Sequence, residues 1–224
     1  MQPCMEFAMS LLSSARKTDR QPRLSAEDWI TAALEVLVEN GIEAVQITAL
    51  ARRLEVTRGS FYWHFEHREA LLEALIAEWR ARNTGVMVEA IAETPTLDDG
   101  ILSLFAVWVD HTRFDAPLDQ AVRDWSRHDD TLRAVVKAED SARTDAIAGF
   151  FMRHGYDRTE AFIRARVIYF TQISFYALNI EEDESMIERL GYLEAYFRCF
   201  TGRDIDTGTA AAYRDVLIRA ETNP

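Results

Sequence analysis

Cysteine is almost missing from this chain. Cys4 and Cys199 stand near opposite ends of its 224 residues, so neither a disulfide framework nor a cysteine metal cluster is available. The histidines His64, His67, His111, His128 and His154 have no HExxH or CxxC company, which leaves metal chemistry without ligands at usable spacing. Long apolar runs are missing too. The densest segment, residues 167–178, is interrupted by Thr171, Gln172 and Ser174 and falls short of the roughly 18 residues a bilayer span requires. Residues 1–14 carry a short apolar patch with no basic segment before it and no convincing small-residue cleavage site after it. They are expected to be a loose tail on a cytoplasmic protein.

What is present is an apolar fraction of 48%, ample for a core, and a net charge of −12. An acidic balance opposes nucleic-acid binding, because affinity for DNA rests on neutralised phosphates. The acid is unevenly spread, however. Residues 1–82 carry a net of −2 and residues 83–224 a net of −10. Near the start, Arg16, Lys17, Arg20 and Arg23 are opposed only by Asp19. Such an arm either follows a DNA backbone or forms a solvated leader.

Apolar spacing is helical throughout. Ser25 with Asp28 three residues on forms a capping box for a first helix of about residues 25–39, whose Ile30, Ala33, Leu34, Leu37 and Val38 share a face. Asn40-Gly41 stops it. Thr48 is placed to cap a second helix with Ala51 and Leu54 facing inward, and Thr57 a third with Phe61 and Phe65 on one side. A fourth, of about residues 68–82, adds Leu71, Leu72, Leu75, Ile76 and Trp79, and Gly85, Pro95 and residues 94–100 mark the passage beyond it. Further on, neither period-two alternation nor an Asn-Gly hairpin signal competes with the helical period. The expected fold is all-α.

Residues Ile47 to Phe65 read as two short helices joined by a tight turn, a helix-turn-helix. With its flanks, Gly41-Ile42 before it and Arg68-Glu69 to Leu71-Leu72 after it, this stretch resembles the N-terminal DNA-binding domain of the tetracycline-repressor (TetR) family over roughly residues 25–80. The resemblance implies a homodimer with a variable ligand-binding domain, in three parts: a disordered basic tail at 1–22, a three-helix helix-turn-helix domain at 23–70, and a larger helical ligand-binding and dimerisation domain at 71–224. Two positions depart from the family pattern. His67 stands where a small cap residue is common, which leaves the start of the fourth helix in doubt, and Arg68 stands where lysine is common.

A recognition helix enters the major groove by its first turns, so Thr57, Arg58 and Ser60 are placed to reach base edges, with Arg58 the candidate for bidentate contact with guanine. Gly59 either permits close approach of the backbone to DNA or eases the turn. Tyr62, Trp63 and His64 present polar tips to phosphates, and Thr48 and Arg68 are further phosphate contacts. Arg52 and Arg53 face either DNA or solvent.

For dimerisation, Met186, Leu190, Leu193, Phe197 and Phe200 recur at 4-3-4-3 spacing, the seam of a helix packed along another. The segment from Phe162 to Leu178 is apolar nearly all round, so Phe162, Tyr169 and Ile173 join the expected interface. An effector pocket is expected among Phe105, Trp108, His111, Trp125, Phe151, Tyr169, Gln172 and Tyr176, with Arg123, Asp140 and Arg143 as further polar candidates. The acid excess would suit a cationic guest, or simply a solvated surface.

The function expected is a homodimeric, ligand-responsive transcriptional regulator. It would be a repressor released from double-stranded operator DNA by a small molecule, without catalytic residues, cofactor or metal. Two other readings stand beside it. One is a protein-interaction module on a helix-turn-helix scaffold. The other is an all-α enzyme using His111 with Asp115 or His128 with Asp129.

Overall fold

The computed structural model describes residues 24–110, 112–180 and 184–222. The basic arm, the 1–22 tail, His111 and the side chain of Met186 lie outside the described residues, among which there is no strand.

Helix α1, Ala26–Asn40, starts as its sequence dictates. The Ser25 hydroxyl accepts from the Asp28 backbone N–H while Asp28 accepts from the Ser25 N–H, a closed capping box. It ends at Gly41, whose φ of 77° places it in the region that favours glycine and whose N–H donates to the Leu37 carbonyl. A 3₁₀ turn, Ile42–Ala44, leads to α2, Ile47–Arg53. The cap of α2 is Gln46 rather than Thr48, which lies exposed in the helix's first turn. Glu55 makes the following bend at φ 56° and leads to α3, Arg58–Phe61, which begins after Thr57. Helix α4, Arg68–Trp79, is capped by His67, whose Nδ1 accepts from the Ala70 N–H at 3.1 Å. The imidazole therefore does the work of the small cap residue it replaces.

The chain does not break at Gly85. A π-helical turn, Arg80–Gly85, carries α4 directly into α5, Val86–Ala92, and the true interruption is 93–96, after which Thr96 caps α6, Leu97–Val109. Gly100 therefore lies inside α6, where a Cβ would come within 2.2 Å of the Phe150 ring. The helices that follow are α7, Ala116–Ser126, α8, Asp130–Arg153, and α9, Arg158–Ala177. Three more, α10, Met186–Gly191, α11, Leu193–Thr201, and α12, Thr207–Thr222, end the described chain.

Two apolar cores result. The first gathers Trp29, Leu37, Leu50, Phe61, Leu71, Leu75 and Trp79 with Leu118, Val122 and Trp125 of α7 and Leu132 and Val136 of α8, so its packing runs without interruption past residue 70. The second gathers α5, α6, α8, α9, α11 and the start of α12 around Ile101, Leu104, Phe150, Phe151, Ile168 and Phe197.

At the seam between the cores lies a buried ionic cluster. Asp119 of α7 accepts from Trp79 Nε1 at 2.8 Å, from Arg143 Nη1 at 3.0 Å and from Arg123 Nε at 2.7 Å. Arg123 also grips Asp140, and the Tyr169 hydroxyl donates to Asp140 at 2.6 Å. Arg143 reaches Thr84 of the π turn at 2.9 Å and lies 5.2 Å from the centre of the Trp79 ring. Arg80 pairs with Glu139 of α8 at 2.8 Å. Trp79 at the end of α4 is thus tied to Asp119 of α7 and Arg143 of α8, and the π turn after it to Arg143 and Glu139 of α8.

Candidate nucleic-acid interface

Phe61 and Phe65 position the exposed face of the helix-turn-helix from behind. Both are buried, their rings stack at 5.4 Å, and Trp29 of α1 meets Phe61 edge-on at 5.2 Å. This aromatic stack fixes α3, which at four residues is too short to hold itself.

On the outer side Thr57, Arg58 and Gly59 are exposed, with Ser60 half-buried behind them. A Cβ at Gly59 would meet nothing closer than the Thr57 hydroxyl at 3.7 Å, so no packing in the chain itself requires a glycine there. Tyr62 is exposed and Trp63 is 87% exposed. A tryptophan left this open on a folded domain leaves its ring and its N–H available to a partner. His64 is half-buried beside α1, where it helps the Ser25 hydrogen bonds hold the Asp28 carboxyl below its ordinary value.

The arginines divide sharply. Arg52 and Arg58 are exposed and engage no partner among the described residues. Arg53 is committed inside the domain, to Glu39 at 2.9 Å and Glu35 at 3.0 Å. Arg68 is committed as well: its Nε donates to the Val45 carbonyl at 2.7 Å and its Nη2 to the Ile42 carbonyl at 3.1 Å. Its guanidinium ties α4 to the 3₁₀ turn, a task that draws it away from the phosphate contact expected of it.

The expected pocket separates into parts. Phe105, Trp108 and Gln172 line one partly open cleft, together with Phe175, Glu184, Arg189, Leu193, Tyr213 and Leu217. Phe151 is fully buried against Phe150 and Tyr156. Tyr169, Arg123, Asp140 and Arg143 are taken up by the ionic cluster. Trp125 and Tyr176 border a different cleft, between α1 and α7, and the Tyr176 hydroxyl donates to the Trp108 carbonyl at 2.6 Å. Glu184, Arg189, Tyr213 and Leu217 carried no sequence signal beyond helical spacing, which does not distinguish a cleft wall from ordinary core.

The residues expected at the dimer seam differ in exposure within the single chain. Leu190, Leu193, Phe197 and Phe200 are buried within the chain's own second core and cleft wall, and Tyr169 is 1% exposed. Ile173 is half-buried against that core. Phe162 is exposed, and Ile163, Val167 and Phe170 accompany it as an open apolar stripe on α9. Of the carboxylates paired with histidines in sequence, Asp115 and Asp129 are helix caps, accepting from Leu118 and Leu132.

Residues 30–75 match the family model described as bacterial regulatory proteins, tetR family. The chain is 39% identical over 72 residues to the class D tetracycline repressor protein of Escherichia coli, covering 32% of this chain and 33% of that protein. It is 40% identical over 63 residues to the HTH-type transcriptional regulator SrpR of Pseudomonas putida, covering 28% of this chain and 30% of that protein. The chain thus spans about a third of the length of the curated relatives it matches. Among solved structures, BioQ of Mycobacterium smegmatis aligns over 80% of this chain and 99% of its own at 20% identity, with a TM-score of 0.38.

Proposed function

Because residues 30–75 match the family model of the tetR bacterial regulatory proteins, we propose that this chain is a homodimeric transcriptional repressor of that family, released from its operator by a small molecule. One observation carries this reading. Trp63, the most exposed aromatic of the helix-turn-helix, and Arg58, exposed and unengaged among the described residues, both stand open to a partner while Phe61 and Phe65 are buried as the anchor. Thr57, Arg58 and Ser60 read base edges, Gly59 lets the backbone approach, and Thr48, Tyr62, Trp63 and His64 hold the phosphates. Arg68 contributes by fixing α4 rather than by touching DNA.

Arg58→Ala is expected to weaken binding to the cognate operator by about 1–3 kcal/mol. Fluorescence anisotropy at fixed salt measures this, and unchanged affinity removes Arg58 from the readers. Absence of salt-sensitive binding to the chain's own upstream DNA would overturn the regulator reading itself.

Two half-sites require two recognition helices about one DNA turn apart, or a multiple of it, hence a two-fold dimer. The stripe of Phe162, Ile163, Val167 and Phe170 on α9 supplies the face that a second copy covers. Val167→Glu is expected to convert the dimer to a monomer in sedimentation velocity at micromolar concentration and to abolish tight operator binding. A wild-type monomer at that concentration sinks this part of the proposal.

Release follows by linkage. The effector occupies the cleft lined by Phe105, Trp108 and Gln172 and favours a spacing of the recognition helices that misses the operator. The ionic cluster joining α4 and the π turn to α7, α8 and α9 is the connection through which that preference reaches DNA.

A further inference from the structure

The effector cleft carries a chemical instruction in its polar atoms. Its walls are apolar and largely aromatic, built from Phe105 and Trp108 of α6, Phe175 of α9 and Leu193 of α11. Into that lining come two hydrogen-bonding groups, Gln172 Nε2 and the Tyr213 hydroxyl, both buried and both without a partner among the described residues. Leaving a buried donor unpaired costs about 1–3 kcal/mol, so two on the wall of one cleft mark positions where an acceptor belongs. Arg189 adds positive charge on the same wall, its guanidinium 4.3 Å from the centre of the Phe175 ring. Burial pushes Tyr213 ionisation up, more than the nearby Arg189 charge pulls it down, so the hydroxyl keeps its proton and donates. Glu184 is the one carboxylate among the described lining residues.

We infer that the cleft takes an apolar, ring-bearing molecule whose carbonyl or carboxylate oxygen accepts from Gln172 and Tyr213 beside Arg189. The inference rests on the cleft being the effector site. A net charge of −12 would suit a cationic guest, whereas the polar lining of this cleft sets Gln172, Tyr213 and Arg189 against the single carboxylate of Glu184 among the described residues.

The test compares three probes of one shape on the full chain by isothermal titration calorimetry: 1-naphthoate, 1-methylnaphthalene and 1-naphthylmethylammonium. Naphthoate is expected to bind most tightly. Gln172→Leu and Tyr213→Phe, which keep bulk and remove a donor, are each expected to weaken it about tenfold while leaving methylnaphthalene unchanged. Equal or tighter binding of the ammonium probe, naphthoate binding indifferent to both variants, or no binding of any probe overturns the inference. The ranking on the wild-type chain needs no variant to fold. Operator release in parallel anisotropy separates the two readings. Naphthoate that binds in the expected pattern without releasing DNA upholds the ligand class and removes the effector role, whereas release by the ammonium probe alone does the reverse.

Discussion

Asp119→Ala is expected to destabilise the fold by about 3–5 kcal/mol in denaturant titration, because it strands a buried charge. Asp119 and Arg143 are both fully buried, and the carboxylate is the shared acceptor for Trp79, Arg123 and Arg143. Replacing both ends of such a pair with apolar groups is often tolerated, whereas removing one end is not. Asp119→Ala with Arg143→Met is therefore expected to recover much of the loss. If the single variant melts like the wild type, the cluster is not a structural tie.

The same carboxyl sets a pH dependence. Burial alone pushes the Asp119 carboxyl up, but the Arg143 and Arg123 guanidinium groups and the hydrogen bonds from Arg123 and Trp79 outweigh it and hold it below its ordinary value. A lowered folded value means that stability is fully present above the unfolded value of about 3.9 and is lost as pH falls through the folded one. Acid thus loosens the seam between the two cores.

This cluster illustrates what a sequence discloses and what it withholds. Devices made within one turn are legible: the Ser25–Asp28 box and the Gly41 terminus stand where their spacing puts them, since both partners lie a few residues apart. The all-α fold follows from the same local periodicity. Arg123, Asp140 and Arg143 read in the sequence as polar candidates for a pocket, and Asp119 draws no notice at all, because what gathers them into one buried cluster is the meeting of α4, α7, α8 and α9. The 4-3-4-3 run from Met186 to Phe200 has a related defect. Spacing reports that a helix has an apolar face, not which surface covers it, and here the chain's own core covers Leu193 and Phe197. Within the reading motif, exposure of Thr57, Arg58, Tyr62 and Trp63 follows from the burial of Phe61 and Phe65. The diversion of Arg53 and Arg68 into intradomain bonds depends on acceptors 14 to 26 residues away.

Phe61→Ala should therefore separate anchor from reader when set beside Trp63→Ala. Phe61 is fully buried between Trp29 and Phe65, and truncating such a ring costs about 3–5 kcal/mol through lost burial and the cavity left behind. With α3 only four residues long, the recognition helix has no other support of comparable size, and operator binding is expected to vanish together with the thermal transition of the first core. Trp63, 87% exposed, has little packing to lose, so Trp63→Ala is expected to leave stability within about 0.5 kcal/mol. Its operator affinity should nevertheless fall, by about 1.5–3 kcal/mol if the indole N–H donates to a phosphate oxygen. Circular dichroism melts and anisotropy on the same samples give both readings. A Trp63→Ala chain that binds like the wild type would shift the positioning role to Tyr62 and His64, whereas a Phe61→Ala chain that still binds would mean α3 is held by something other than the aromatic stack.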